Sequence, residues 1–405
     1  MTAGLEGQAW LTAPATVQVM DALEAAGGPD CARFVGGCIR NSLMDQPVDD
    51  IDIATKLPPT AVVAAIEAAG LRAVPTGIEH GTVTAVAGGR GFEITTLRRD
   101  VSTDGRNATV AFTGDWCEDA ARRDFRLNAL YADRSGAIFD PTGQGLADAL
   151  AGRVVFVGAP ERRIEEDYLR ILRFFRFYAW YGRGWPSAAA VEACAALAPG
   201  MIRLSAERVS KELLKLLAAP DPSTAVRTMG GAGVLAQILP EVHSLEVFLR
   251  MVALSKDAEL RLSALLPPDP TVVETAARRL RLSNALRERL MAAAGPPVSL
   301  EMTEKEARAH IYRLRARTFR DRVMRAWAMA DHASGDGAGE LMALAHQWTP
   351  PRLPVGGAEL AKLGVEPGPE TGRLLKAFED SWIADDFPTT GHEERLKALV
   401  SAPRG

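Results

Sequence analysis

Along the first 150 residues the apolar positions fall in short runs broken by glycine, and from about Glu161 onward they recur at the spacing of a helix. Runs such as ARFVGG, TVTAVAG and GFEITTL predict strands, with TAVVAAIEAAG as a helix between them. The later segments ILRFFRFYAW, AERVSKELLKLL and RDRVMRAWAMA predict amphipathic helices, separated by Gly/Pro breaks at GRGWPS, PDPS, LLPPDP and AGPPVS. No internal repeat or low-complexity segment interrupts this order. The fold class expected is α+β: a head with a small mixed sheet over residues 1–150, a helical neck over 151–220, and a helical body and tail over 221–405.

Composition narrows the function classes. A chain of 405 residues that is 47% hydrophobic forms packed domains in place of a disordered chain. No apolar stretch approaches the roughly 20 residues of a membrane span. The start, MTAGLEGQAW, has neither basic residues nor an apolar run, so the expectation is a cytoplasmic protein with no membrane partner. Cys31, Cys38, Cys117 and Cys194 form no C-x-x-C pair and suggest neither a zinc site nor a disulfide framework. Net charge is 47 − 51 = −4, so a nucleic acid would have to be held by local basic patches. Arg98, Arg99, Arg106, Arg122, Arg123 and Arg126 supply one, and the arginines from Arg162 to Arg183 another. Guanidinium groups suit bidentate contact to phosphates and base edges.

The chemistry starts in RFVGGCIRNSLMDQPVDDIDIAT, residues 33–55. It reads as a strand, a turn at Gly36-Gly37, a helix carrying Arg40, and a second strand bearing Asp50 and Asp52. Alternation places Asp50 and Asp52 on one face and Asp49 on the other. Two such carboxylates can share hard, oxygen-seeking Mg²⁺ ions that steady the charge on a phosphoryl group. The glycines let backbone N–H groups approach a triphosphate, and Arg40 can reach the same phosphates. A D-x-D or a Gly-Gly turn alone is commonplace; G-G-x-[IV]-R followed by D-x-D at this spacing resembles the nucleotidyltransferase superfamily of DNA polymerase beta. Sites of that superfamily often take a third carboxylate from a neighbouring strand, and the resemblance makes Glu93, in the strand-like GFEITT, the candidate for it.

Two further segments, RRDFRLNAL (Arg122–Leu130) and IEEDYLRILRFFRF (Ile164–Phe177), resemble signature motifs of class II tRNA nucleotidyltransferases, which include the CCA-adding enzymes and bacterial poly(A) polymerases. EITTLRRDVSTDGR and RLSAERVSKELLKLL resemble the flexible-loop and neck motifs, so the likeness covers about Phe34 to Leu217. It implies a polymerase-beta-like head and template-independent addition of CCA to tRNA from CTP and ATP, with poly(A) synthesis as the alternative. It implies no protein partner. Residue by residue, Gly36, Gly37 and Arg40 would meet the triphosphate, Arg123 and Asp124 its phosphate and ribose, Asp167 and Arg170 the base, and Arg173 and Arg176 phosphate. Placed on one helix, Asp167 and Arg170 would be i,i+3 neighbours. Such an acceptor–donor pair fits cytosine and adenine, which offer an amino group beside a ring-nitrogen acceptor, and rejects uracil and guanine. Arg176, three helical steps on, drifts to about the opposite side. Asn41 stands where the family usually has Asp.

Between the two outcomes, Val74–Val86 (VPTGIEHGTVTAV) resembles the G-x-x-H-G-T-V form of CCA-adding enzymes, and the loop from Thr95 to Arg122, with Asp104 and Gly105, is present in full. The six histidines form no H…HD…D hydrolase pattern. Near the C-terminus, the turn from Gly364 to Gly372 could grip tRNA phosphates through backbone N–H groups or merely connect two helices.

Overall fold

Strands form where β-branched and aromatic residues alternate with small or polar ones. In a computed structural model of the chain, which describes residues 4–104, 107–330 and 335–402, with backbone alone at 100–104, 107–110 and 335–336, these are β1 (Ala32–Val35), β2 (Asp52–Thr55), β3 (Arg72–Gly77), β4 (Thr82–Ala87), β5 (Arg90–Thr96), β6 (Arg98–Asp104), β7 (Asn107–Phe112), β8 (Tyr131–Ala132) and β9 (Ile138–Phe139). Gly105 and Arg106 lie outside the described residues. Seven strands make one sheet in the order β3-β4-β5-β2-β1-β8-β9, and β6 with β7 forms a separate hairpin. Within the sheet β2 and β5 run parallel and the other pairings are antiparallel. This matches the small mixed sheet expected. The hairpin was not legible as strands, because RRDVSTD carries little apolar alternation.

Helices α1 (Pro14–Gly27) and α2 (Gly37–Leu43) flank β1, α3 (Pro59–Ala68) follows β2, and α4 (Trp116–Ala121) follows β7. α1 and α3 pack on each other and on β4, closing a core of Val19, Leu23, Phe34, Ile53, Ile66, Val83, Phe92 and Ile94. The G-x-x-H-G-T-V segment forms the tight β3–β4 connection. Gly81 there has φ +82, and a Cβ would stand 2.8 Å from the Phe112 ring, so only glycine fits.

Beyond the sheet come α5 (Pro160–Glu166), α6 (Leu169–Tyr181) and α7 (Ala206–Leu217). The apolar side of α6 reaches the segment after α4 through rings. Phe125 lies 4.9 Å from Phe156 and 5.1 Å from Phe177, and Phe156 stacks on Phe174 at 5.7 Å. Burying such rings contributes on the order of 2–3 kcal/mol each, which ties α6 to the head. The chain divides into two compact units, Met1–Pro240 and Glu241–Gly405, so the helices expected for the neck share a unit with the sheet.

The second unit is helical and holds two apolar clusters, one around Ile311, Phe319, Val323 and Leu341, the other around Leu360, Leu374, Phe378 and Trp382. Its break near the C-terminus is shorter than Gly364–Gly372. Pro369 starts a helix that runs to Ala384 and takes in Gly372. Among the described residues no helix is long and apolar enough to cross a membrane.

Candidate active site

The site is built on the β1–α2 turn. Gly36 has φ +73, a conformation that favours glycine, and caps α2, with its N–H donating to the Leu130 carbonyl at 3.2 Å. A Cβ on Gly36 would sit 3.7 Å from Arg123 Nη1, and one on Gly37 would sit 3.8 Å from Arg40 Nη2, so both arginines lie against the two glycines.

Beside this turn stand the carboxylates. β2 begins at Asp52, so Asp50 precedes the strand and does not sit within it, a correction to the expected strand boundary. The reason is local: Asp49 and Val48 give their carbonyls to Arg90 of β5, which holds that stretch away from the β1 ladder. Ile51 is buried while Asp50 is exposed and Asp52 partly so, but Asp49 is exposed as well, so burial does not set it on a face apart from the pair. Asp52 pairs with Glu93 in the β2–β5 register. Burial first, then Glu93, push the Asp52 carboxyl up to about 6, with Asp50 adding to the push and Arg123 and Arg40 opposing it. Asp50, Asp52 and Glu93 therefore share one electrostatic neighbourhood with Arg40 and Arg123. Among the described residues no three acidic, histidine or cysteine side chains are drawn in around one ion-sized point. Hard oxygen donors in mutual repulsion, which Arg123 and Arg40 offset only in part, nonetheless fit a divalent cation.

Arg40 is 7% exposed. It donates from Nε and Nη2 to Asn41 Oδ1 at 3.2 and 2.8 Å, from Nη2 to the Tyr181 hydroxyl at 2.9 Å, and from Nη1 to Asn128 Oδ1. Its guanidinium also lies 4.0 Å over the Tyr181 ring. All of these partners are neutral, and burial lowers its pKa. Asn41 thus orients Arg40 without cancelling its charge, while its Nδ2 donates to the Pro47 carbonyl at 2.6 Å, which an Asp could not do.

From Arg40 the contacts continue through Asn128, whose Nδ2 donates to Asp124 Oδ1 at 3.2 Å, and on to Arg173 Nε, 2.9 Å from Asp124 Oδ2. Burial works against the Asp124 charge, but Arg173, Asn128 and the Phe125 N–H together hold its carboxyl down at about 2. Arg123 is held by Asp119 at 3.0 Å and the Tyr131 hydroxyl at 3.1 Å. Burial opposes the Asp119 charge too, and Arg123 and Arg122 hold that carboxyl down at about 2.

The expected base-reading pair is arranged differently from the sequence pattern. Asp167 does not lie on the helix with Arg170; it sits in an extended break (φ −155°, ψ 107°) between α5 and α6. There its Oδ1 accepts from the Leu169 N–H at 3.1 Å and its Oδ2 from Arg208 of α7 at 2.6 Å. Arg170 turns back to Glu166 and the Arg163 carbonyl, 2.7 Å away. The two are close in sequence yet engaged elsewhere, because a carboxylate at a helix start is drawn to free N–H groups. Arg176 pairs with Glu212 at 2.7 Å and lines a cavity of about 260 Å³ with Trp180, Tyr181 and Lys215. Of the predicted residues the structure therefore gathers Gly36, Gly37, Arg40, Arg123, Asp50, Asp52 and Glu93 at the turn, and links Asp124 and Arg173 to them. Sequence reasoning missed Asn128, Tyr181, Asp119, Tyr131 and Arg208. Asn128 and Arg208 lay inside quoted motifs, whereas the other three carried no signal.

Residues 32–155 match the family model described as the poly A polymerase head domain, and residues 187–246 match the probable RNA and SrmB-binding site of polymerase A. The mouse (Mus musculus) mitochondrial CCA tRNA nucleotidyltransferase 1 is 34% identical over 366 residues, 86% of this chain and 82% of that protein. A CCA-adding enzyme of Streptococcus pyogenes is 42% identical over 191 residues, 47% of this chain and 46% of its own. The crystal structure of the Bacillus stearothermophilus CCA-adding enzyme in complex with CTP superposes with a TM-score of 0.75 over 92% of both chains, at 25% identity. With a relative above 30% identity covering most of both proteins, and the same head architecture, the chain belongs to the family of the CCA tRNA nucleotidyltransferases.

Proposed function

We propose that this protein adds cytidine, cytidine and adenosine to the 3′ end of tRNA from CTP and ATP, without a nucleic-acid template. The observation that carries this is the β2–β5 register that sets Asp52 beside Glu93, next to a glycine turn flanked by Arg40 and Arg123. Gly36 and Gly37 leave room for the triphosphate to meet backbone N–H groups, and Arg40, held by neutral partners alone, keeps its full charge for it. Arg123 reaches the same turn, with its other contacts fixing its direction. Asp50 and Asp52, with Glu93 beside them, would hold the metal, proposed to be Mg²⁺ because all donors are hard carboxylate oxygens. Bound there, the metal would supply charge neutralisation for phosphoryl transfer and acidify the attacking 3′ hydroxyl.

Nucleotide choice falls to Asp167 and Arg170. A cytosine or adenine base would take Asp167 from Arg208 and Arg170 from Glu166; Glu166 keeps its pair with Arg163, and Arg208, partly exposed, turns to water. Asp167→Ala is expected to relax discrimination against UTP and GTP by roughly 10-fold or more, the worth of one charge-assisted hydrogen bond. CTP affinity should fall much less. The check is initial rate with each nucleotide on tRNA ending before the CCA, where one common slowing of all four would reduce Asp167 to a structural partner of Arg208.

Residues 1–150 act as head, 151–220 as neck and 221–405 as body and tail that hold the tRNA. A cytoplasmic setting belongs to the same proposal, in keeping with four free cysteines and a reducing compartment. The functional test is transfer to tRNA lacking its last three nucleotides. Long adenosine tails made from ATP, with no CTP used, would favour the poly(A) alternative.

A further inference from the structure

Arg325, on the helix Ala316–Met329 of the second unit, is 4% exposed and makes no ion pair among the described residues. Burial pushes its pKa down to about 10, and no charged neighbour offsets that push. Its Nη1 donates to the Ser263 carbonyl and its Nη2 to the Leu266 carbonyl at 3.3 Å, where the helix Ala258–Leu265 ends against Pro267. A guanidinium carries five N–H donors. Two are used here, and Nε is among those left without an acceptor among the described residues. Carbonyl dipoles fix the direction of a guanidinium without neutralising it, and a buried charge with no countercharge is costly. A neutral amide side chain could cap the same two carbonyls without that cost, so capping alone does not account for the charge.

The guanidinium lines a cavity of about 190 Å³, whose walls include the apolar side chains of Val247, Leu265, Leu266 and Met329, with Ser244 at an exposed edge. Glu241, the carboxylate along that wall, is already taken by Arg279 at 2.7 and 2.8 Å. An apolar cavity of about 150 Å³ holds a molecule of benzene's size, so this one has room for about six carbons and a charged head. We propose that the cavity is a binding site for a small monocarboxylate with an apolar body of about six carbons, its carboxylate on the free N–H groups of Arg325 and its body against Val247, Leu265 and Met329. A planar guanidinium matches the two oxygens of a carboxylate, and one positive charge calls for one negative. The apolar walls would leave the further oxygens of a phosphate unbonded. Binding here does not depend on the reaction proposed above.

The test uses hexanoate as the probe on the full-length protein, with hexan-1-ol and acetate as controls that keep only the apolar body or only the charge. The Met329 methyl signal, assigned by Met329→Leu in spectra of ¹³C-methyl-methionine protein, reports on the cavity locally, and the melting temperature reports binding overall. Hexanoate is expected to move the Met329 signal saturably, with a midpoint of about 1 mM, and to raise the melting temperature. Hexan-1-ol and acetate should each bind about 10-fold or more weakly. Val247→Phe, which fills the cavity and leaves Arg325 in place, should abolish the shift. Arg325→Met should bind hexanoate no better than hexan-1-ol. Should that variant fail to fold, the three probes on the wild type and on Val247→Phe still decide. A Met329 signal unmoved by hexanoate at about 20 times the expected midpoint would overturn the site. Equal affinity of the wild type for hexanoate and hexan-1-ol would reduce it to an apolar hole, and undiminished hexanoate binding to Val247→Phe would place the ligand elsewhere.

Discussion

Asp52→Ala is expected to lose nucleotide transfer by about a thousandfold or more while folding normally, since a metal contact is worth several kcal/mol of transition-state stabilisation. The structural side of the expectation has a definite sign. Asp52 has its folded-state carboxyl raised from 3.8 to about 6, so its ionisation opposes folding. That penalty is absent below pH 3.8, grows as pH rises towards about 6, and is fully present above it. A change of this size amounts to about 2–3 kcal/mol. In metal-free protein, Asp52→Asn should therefore be more stable than the wild type at pH 7.5 and similar to it at pH 4. Added Mg²⁺ should stabilise the wild type and leave the variant unmoved. Thermal melts across pH, with and without the ion, read both arms. Wild-type turnover in a folded Asp52→Ala protein would remove the carboxylates from the chemistry.

The second large effect belongs to Asp124 and Arg173, which join the head to α6. Asp124 is 9% exposed and its carboxyl is held down at about 2. Arg173→Ala strands that charge. The cost expected is roughly 2–3 kcal/mol, below that of a fully buried pair, because the Arg173 side chain keeps 33% of its surface in solvent. For a unit of this size the melting point should fall by roughly 5–10 °C. Nucleotide binding should weaken for all four nucleotides alike, as loss of a phosphate contact demands. The sign with pH is again fixed. The pair's contribution is complete above pH 3.8 and is lost only as pH falls towards 2, so the variant's deficit should be full at pH 7 and shrink on acidification. Adding Asp124→Asn to Arg173→Ala should recover much of the loss, as a coupled pair requires. Purely additive losses would show that the pair does not bridge the two elements.

What could be read from the sequence divides along physical lines. The head's strands and the glycine turn were legible because alternation and Gly-Gly are local signals; Asp52 follows from its strand, whereas Asp50 lies just before that strand and Glu93 was reached only through the family resemblance. Arg40's neutral cradle was not legible, since Tyr181 lies 141 positions away and only the packing of α6 on the head brings it near. Asp167 and Arg170 misled for the opposite reason. Their spacing fits one helix, but the chain breaks at Asp167, whose side chain satisfies the helix start, and Arg208 arrives from α7 to share it.

The central claim is tested most directly by supplying tRNA that lacks its last three nucleotides with CTP, ATP, UTP and GTP together and Mg²⁺, and resolving the products one nucleotide at a time. The expected product gains cytidine, cytidine and adenosine in that order and grows no further. A ladder of adenosines without cytidine, or steady entry of uridine and guanosine, would contradict it.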